Sequence, residues 1–193
     1  MVKSYSKNAN HNMRRPVIKE DILHYMRHEQ KENMGFLKEL EIFAHEENIP
    51  IIPQETVVYF RFLLQTFQPK NILEIGTAIG FSALLMAENA PQANITTIDR
   101  NPEMIAIAKE NFAKYDSRKQ INLLEGDAAN ILTKLNGNYD FVFMDSAKSK
   151  YIVFLPTVLE CLEIGGIVVL DDVFQGGDIA KPIEEVHRGQ RTI

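Results

Sequence analysis

The chain has 193 residues, 45% of them hydrophobic and 24% charged, with a formal net charge of −5. This suits one soluble domain with a full core and excludes a general nucleic-acid coat. No apolar run approaches the roughly 20 residues that cross a bilayer, the N-terminus lacks a signal-peptide core, and a cytoplasmic protein without membrane contact is expected. In chain order, residues 1–15 are polar and read as a basic flexible arm. Over residues 1–19 there are five basic side chains (Lys3, Lys7, Arg14, Arg15, Lys19) and no acid. Such an arm fits a solvated terminus or a contact with RNA phosphates. Residues 16–193 read as a single domain. Residues 16–47 are predicted helical, with Ile22, Tyr25, Met26, Phe36, Leu37, Leu40 and Phe43 as apolar positions and a division at Gly35. Residues 49–53 (Ile-Pro-Ile-Ile-Pro) are extended, because a residue before proline avoids the α region. Residues 54–66 form a helix with Val57, Val58, Phe60, Phe62, Leu63 and Leu64 mostly buried.

A regular alternation follows. Strands are predicted over 71–75, 94–98, 121–124, 139–144 and 167–170, and helices over 82–89, 102–115, 129–135 and 151–162. Gly165-Gly166 is expected to turn the chain into the fifth strand. This pattern predicts an α/β fold with a doubly wound, mostly parallel sheet behind N-terminal helices. The single Cys161 excludes an intrachain disulfide and a cysteine-based zinc cluster, and it lies in an apolar helix as a buried thiol.

In an open α/β sheet, ligands sit at the carboxyl ends of the strands. The first strand delivers Glu74-Ile-Gly-Thr-Ala-Ile-Gly80, an E-x-G-x-x-x-G turn in which Gly76 and Gly80 let the backbone approach a ligand. A dinucleotide fingerprint would need glycines at 76, 78 and 81 and finds only Gly76. The second strand delivers Asp99, able to accept from both hydroxyls of a ribose, and the third delivers Asp127, able to accept from an adenine amino group. These acids would repel a pyrophosphate and suit a neutral or cationic nucleoside. The fourth strand delivers Asp145-Ser-Ala-Lys148 and the fifth Asp171-Asp172. On adjacent strands about 4.8 Å apart, the three aspartates can converge on one point. Oxygen-only donors suit Mg²⁺ or another hard cation. Lys148 is then either a general base or a salt-bridge partner of those carboxylates.

This motif set resembles the cation-dependent S-adenosylmethionine O-methyltransferase family, which includes catechol and caffeoyl-CoA O-methyltransferases. The resemblance covers about residues 49–175. It implies a metal held by Asp145, Asp171 and Asp172, with Lys148 assisting deprotonation. Asp172 stands where many members have asparagine. It further implies a cofactor site of Glu74, Gly76, Thr77, Ser82, Asp99, Asp127, Ala128 and Asp145, and a homodimer. Within the family, the N-terminal helices and the Glu74–Gly80 motif are most similar to members that methylate 5-hydroxyuridine at the tRNA wobble position. The resemblance therefore implies tRNA as acceptor, with a small catechol or phenol as the alternative. A non-catalytic cofactor- or RNA-binding module is the remaining alternative. The family pattern also carries a helix near Ile183 and two closing strands. The sequence stops at Ile193 before that hairpin, so it is expected to be a truncated form, since strand five would otherwise leave an apolar edge uncovered.

Overall fold

The computed structural model describes residues 19–174 and 181–185. The chain divides into two units between Glu32 and Asn33; the expected arm over residues 1–15 lies outside the described residues. In the first unit, α1 spans Glu20–Glu29, and its apolar side chains Ile22, Tyr25 and Met26 are exposed.

The second unit begins with α2 (Phe36–Glu46) and α3 (Gln54–Phe67). Helix α2 buries Leu37, Leu40 and Ala44, a stripe at three- and four-residue spacing. Helix α3 buries Val57, Phe60 and Leu64. The expectation for this helix was too generous: Val58 and Phe62 face outward, because one helical stripe cannot take residues one and two positions apart. Phe60 meets Phe141 and Phe143 edge-on, with ring centroids 6.0 and 4.7 Å apart, which pins α3 to the sheet.

Five parallel strands follow: β1 (Asn71–Ile75), β2 (Asn94–Asp99), β3 (Ile121–Glu125), β4 (Tyr139–Met144) and β5 (Leu162–Leu170). Their order is β3-β2-β1-β4-β5. The connecting helices are α4 (Phe81–Asn89), α5 (Pro102–Tyr115), α6 (Ala128–Leu132) and α7 (Tyr151–Cys161), with a 3₁₀ turn over Lys148–Lys150. The strand order reverses between β1 and β4, and that reversal opens the crevice in which doubly wound folds bind ligands. Helix α4 is buried from Phe81 through Ala87. Its sequence is apolar on every side because it packs into one core with α2, α3 and the inner face of β4, while Leu73, Ile75, Val142 and Met144 build a second core with Phe154 and Val158 of α7.

The largest departure from the predicted elements is β5. It starts at Leu162, five residues before the expected strand, since Gly165-Gly166 forms a bulge inside the strand rather than a turn ahead of it. Tyr139 pairs with Leu162 and Phe141 with Ile167, so β5 runs five residues while β4 runs two. Helix α6 ends at Leu132, short of the expected 135. The helix expected near Ile183 is a turn over residues 183–185, and the closing hairpin has no counterpart among the described residues. No helix among the described residues is long and apolar enough to cross a membrane.

Candidate active site

The carboxyl ends of β1, β2, β3, β4 and β5 surround a cavity of about 830 Å³. Gly76, Thr77, Ser82, Asp99, Asp127, Ala128, Asp145, Lys148, Asp171 and Asp172 all line it. Of the residues predicted for the site, Glu74 alone does not: it lies beneath the floor, fully buried.

The floor is built by the turn after β1. Gly76 (φ 109°) donates its N–H to Ile98 O at 2.9 Å, and a β-carbon on it would stand 2.0 Å from the carbonyl oxygen of Asp145. Gly80 (φ 84°) starts α4 against the Phe112 ring, which fills the place of its missing side chain. Between them, the N–H groups of Thr77 and Ala78 donate to Asp99 Oδ2 at 3.0 and 2.8 Å. The other oxygen, Oδ1, accepts from Asn101 N–H at 2.8 Å. Asp99 is therefore first a clamp on the glycine turn, and a ribose would share oxygens that the backbone already uses.

Below the turn, Glu74 accepts from Ser82 Oγ and from Thr97 Oγ1, the latter at 2.5 Å, and Thr97 meets the Thr77 hydroxyl at 2.6 Å. Burial pushes the Glu74 carboxyl up to about 8; the two hydroxyls oppose this, and the charges of Asp145 and Asp99 reinforce it. Below that pKa the carboxyl carries a proton, and one of its two hydroxyl contacts is then donated by Glu74 rather than accepted. Thr97, two residues before Asp99 on the same face of β2, was not singled out from sequence, although that spacing carries the signal.

At the β3 end, Asp127 caps α6 by accepting from Ala129 N–H at 2.9 Å, and its second oxygen faces Arg100 Nη1 at 3.3 Å. The pair is exposed and contributes little to stability.

The opposite end of the cavity holds the aspartates and Lys148. Asp145 follows β4, its N–H donating to Ile75 O at 2.9 Å, and Asp171 follows β5, its N–H donating to Met144 O at 3.1 Å. Lys148 Nζ lies 2.7 Å from Asp145 Oδ1 and 3.7 Å from Asp171 Oδ2. Burial disfavours its charge, but the hydrogen bond and attraction of Asp145 outweigh this and hold its pKa above the ordinary lysine value. Here Lys148 is an ammonium. Asp171 is raised, first by burial and then by repulsion from Asp145, with Lys148 opposing and Asp172 reinforcing. The expected convergence of three carboxylates is only partial. Among the described residues no group of three or more acidic, histidine or cysteine side chains is arranged to hold a metal ion, and the ammonium stands between two of the aspartates.

Two features were not anticipated. Residues 50–53 and Phe154 add apolar lining to the cavity; the proline-rich segment reads as extended from sequence, but not as part of a site. Tyr151, three residues after Lys148, reaches the same cluster through its phenol oxygen.

A family model described as O-methyltransferase matches residues 27–193. The O-methyltransferase ankF of Aspergillus thermomutatus is 37% identical over 62% of this chain and 52% of its own length. The caffeoyl-CoA O-methyltransferase of Stellaria longipes is 31% identical over 65% of this chain and 55% of its own. The catechol O-methyltransferase of Niastella koreensis is 30% identical over 63% and 57%. The chain thus spans little more than half the length of these curated relatives. Among solved structures, the SAH-bound methyltransferase PaMTH1 of Podospora anserina superposes with a TM-score of 0.78 at 28% identity, over 89% of this chain and 77% of that one. The family model spans well over half of the chain, which therefore belongs to the O-methyltransferase family.

Proposed function

We propose that this protein transfers the methyl group of S-adenosylmethionine to a hydroxyl of a small catechol- or phenol-like acceptor. The observation that carries this reading is the shared cavity: the Gly76–Thr77 turn and the Asp145–Lys148–Asp171 cluster open onto one space. The turn, Ser82 and Asp99 hold the donor at one end. The apolar side chains of residues 50–53 and Phe154, which line the same cavity, suit an aromatic acceptor. The chain's main contribution is to hold oxygen, methyl carbon and sulfur in line, with the reacting atoms roughly 3 Å apart.

A divalent cation belongs to this reading on the chemistry of the donor set. Asp145, Asp171 and Asp172 would hold it; they are hard oxygen donors, and although burial is the main cause that raises Asp171, the repulsion from Asp145 and Asp172 that adds to it would be relieved by positive charge. Such a cation supplies Lewis acidity that lowers the pKa of an acceptor hydroxyl. In the cluster as it stands Nζ of Lys148 is an ammonium held by Asp145; a cation on the aspartates would weaken that hold and lower its pKa, and Nζ would then take the acceptor's proton as a free amine.

The caffeoyl-CoA and catechol names of the relatives favour a small acceptor. The 5-hydroxyuridine reading draws on the N-terminal helices and the Glu74–Gly80 motif; the basic arm compatible with it, residues 1–15, lies outside the described part of the chain. The deciding experiment incubates the protein with S-adenosylmethionine and, separately, catechol, caffeoyl-CoA and hypomodified tRNA, with mass spectrometry of the products. Methylated catechol or caffeoyl-CoA is expected. Methylation of tRNA alone would replace the acceptor, and donor binding without any product would support a non-catalytic module.

A further inference from the structure

We propose that Tyr151 is a positioning residue that sets Lys148 over the cavity by locking the ends of β4 and β5 together. The inference rests on the reading of Lys148 as the group that handles the acceptor's proton.

The phenol oxygen of Tyr151 meets polar groups from three segments. Its one proton is donated to Met144 O at 2.7 Å, with Asp171 O at 3.1 Å as a second, shared acceptor, and its oxygen accepts from Lys148 Nζ at 3.2 Å. Met144 is the last residue of β4, and Asp171 is the first after β5. Met144 O also accepts the Asp171 N–H at 3.1 Å. One hydroxyl thus closes a ring of hydrogen bonds around the point where both strands release their aspartates. The ring leaves a lone pair for the ammonium, as a phenol oxygen can donate once and accept as well.

Lys148 needs such a brace. Its four-carbon stem is flexible, with many rotamers open to it. It sits on a three-residue 3₁₀ turn whose N-terminus has no side-chain cap. Asp145 alone would fix the distance to one carboxylate oxygen but not the direction of the nitrogen. Tyr151 supplies the second point, and its ring packs into the core beneath α7, so the oxygen is held on a rigid body. Asp171, at 3.7 Å from Nζ, lies beyond hydrogen-bond reach and cannot substitute for it.

Tyr151→Phe keeps the ring and deletes the oxygen. Turnover is expected to fall about 10- to 100-fold, with the donor Kd changed less than about twofold and no large drop in Tm. In a Lys148→Ala background the same change is expected to alter residual turnover less than about twofold, because no ammonium remains to be positioned. Equal losses in both backgrounds, or donor affinity falling in step with turnover, would make Tyr151 a purely structural residue and overturn the inference. Wild-type turnover in Tyr151→Phe beside an inactive Lys148→Ala would also overturn it, while leaving the role of Lys148 intact. Full activity in Lys148→Ala would remove the role of Lys148 and the inference together.

Discussion

Gly76 and Asp145 face each other so closely that a β-carbon on the glycine would come within 2.0 Å of the aspartate's carbonyl oxygen. The contact joins the glycine turn after β1 to the acidic end of β4. Gly76→Ala combines that clash with a strained positive φ, at a cost of about 2–3 kcal/mol or more. The expected outcome is a Tm lower by about 5–10 °C, read by scanning calorimetry, and loss of donor binding, read by titration calorimetry.

Glu74 gives the protein a pH signature. Its folded-state pKa of about 8 lies above the ordinary carboxylate value of 4.5, so the folded state binds the proton more tightly. This stabilisation is fully present below the unfolded pKa and is lost as pH rises through the folded one. Between pH 5 and 8, stability should therefore fall by up to about 1.4 kcal/mol per unit from this group. Denaturant melts across that range check it. Glu74→Gln keeps the shape and removes the proton, and should flatten this component of the slope.

Asp99 organises the turn before any ligand arrives. Asp99→Ala strands the N–H groups of Thr77 and Ala78, with an expected loss of about 1–3 kcal/mol in stability. Donor affinity should fall at least about tenfold, since the turn and a ribose partner are lost together. Asp99→Asn retains one acceptor oxygen and should recover much of the stability without the full affinity. Denaturant melts and donor calorimetry on the two variants separate the turn from the ligand.

Lys148→Ala should lower kcat about 10²- to 10⁴-fold while leaving the donor Kd unchanged. Treatment with EDTA should abolish turnover, and added Mg²⁺ should restore it, without altering donor binding. Turnover that persists undiminished in EDTA would remove the cation from the proposal and leave the ammonium–carboxylate cluster as the acceptor site.

Much of this architecture was legible in the residues. The strand–helix alternation located β1, β4 and α5 at their observed limits, because apolar runs, short connections and Pro102 are local signals. The three-residue spacing of Asp145 and Lys148 announced their contact for the same reason. What stayed hidden was tertiary. The N–H groups of Thr77 and Ala78 have no sequence signature, so Asp99 was read as a ribose partner when it also clamps the turn. Glu74 was placed among the cofactor-lining residues, but strand alternation sends it under Ser82 and against α4. The Tyr151 hydroxyl finds Met144 and Asp171 only once α7 has folded back. The pairing of acids with Lys148 and Arg100, rather than three free carboxylates, likewise depends on distances that no motif encodes.

The bulge at Gly165 has a practical consequence. Ile164 is fully exposed there, Gly165 adopts a φ of 87°, and regular pairing resumes at Phe141–Ile167 and holds to Met144–Leu170. The surplus residues absorb length. A fluorophore on a cysteine engineered at the exposed position 164 should be tolerated without displacing Asp171, which makes the bulge the natural attachment point for a reporter on the working protein.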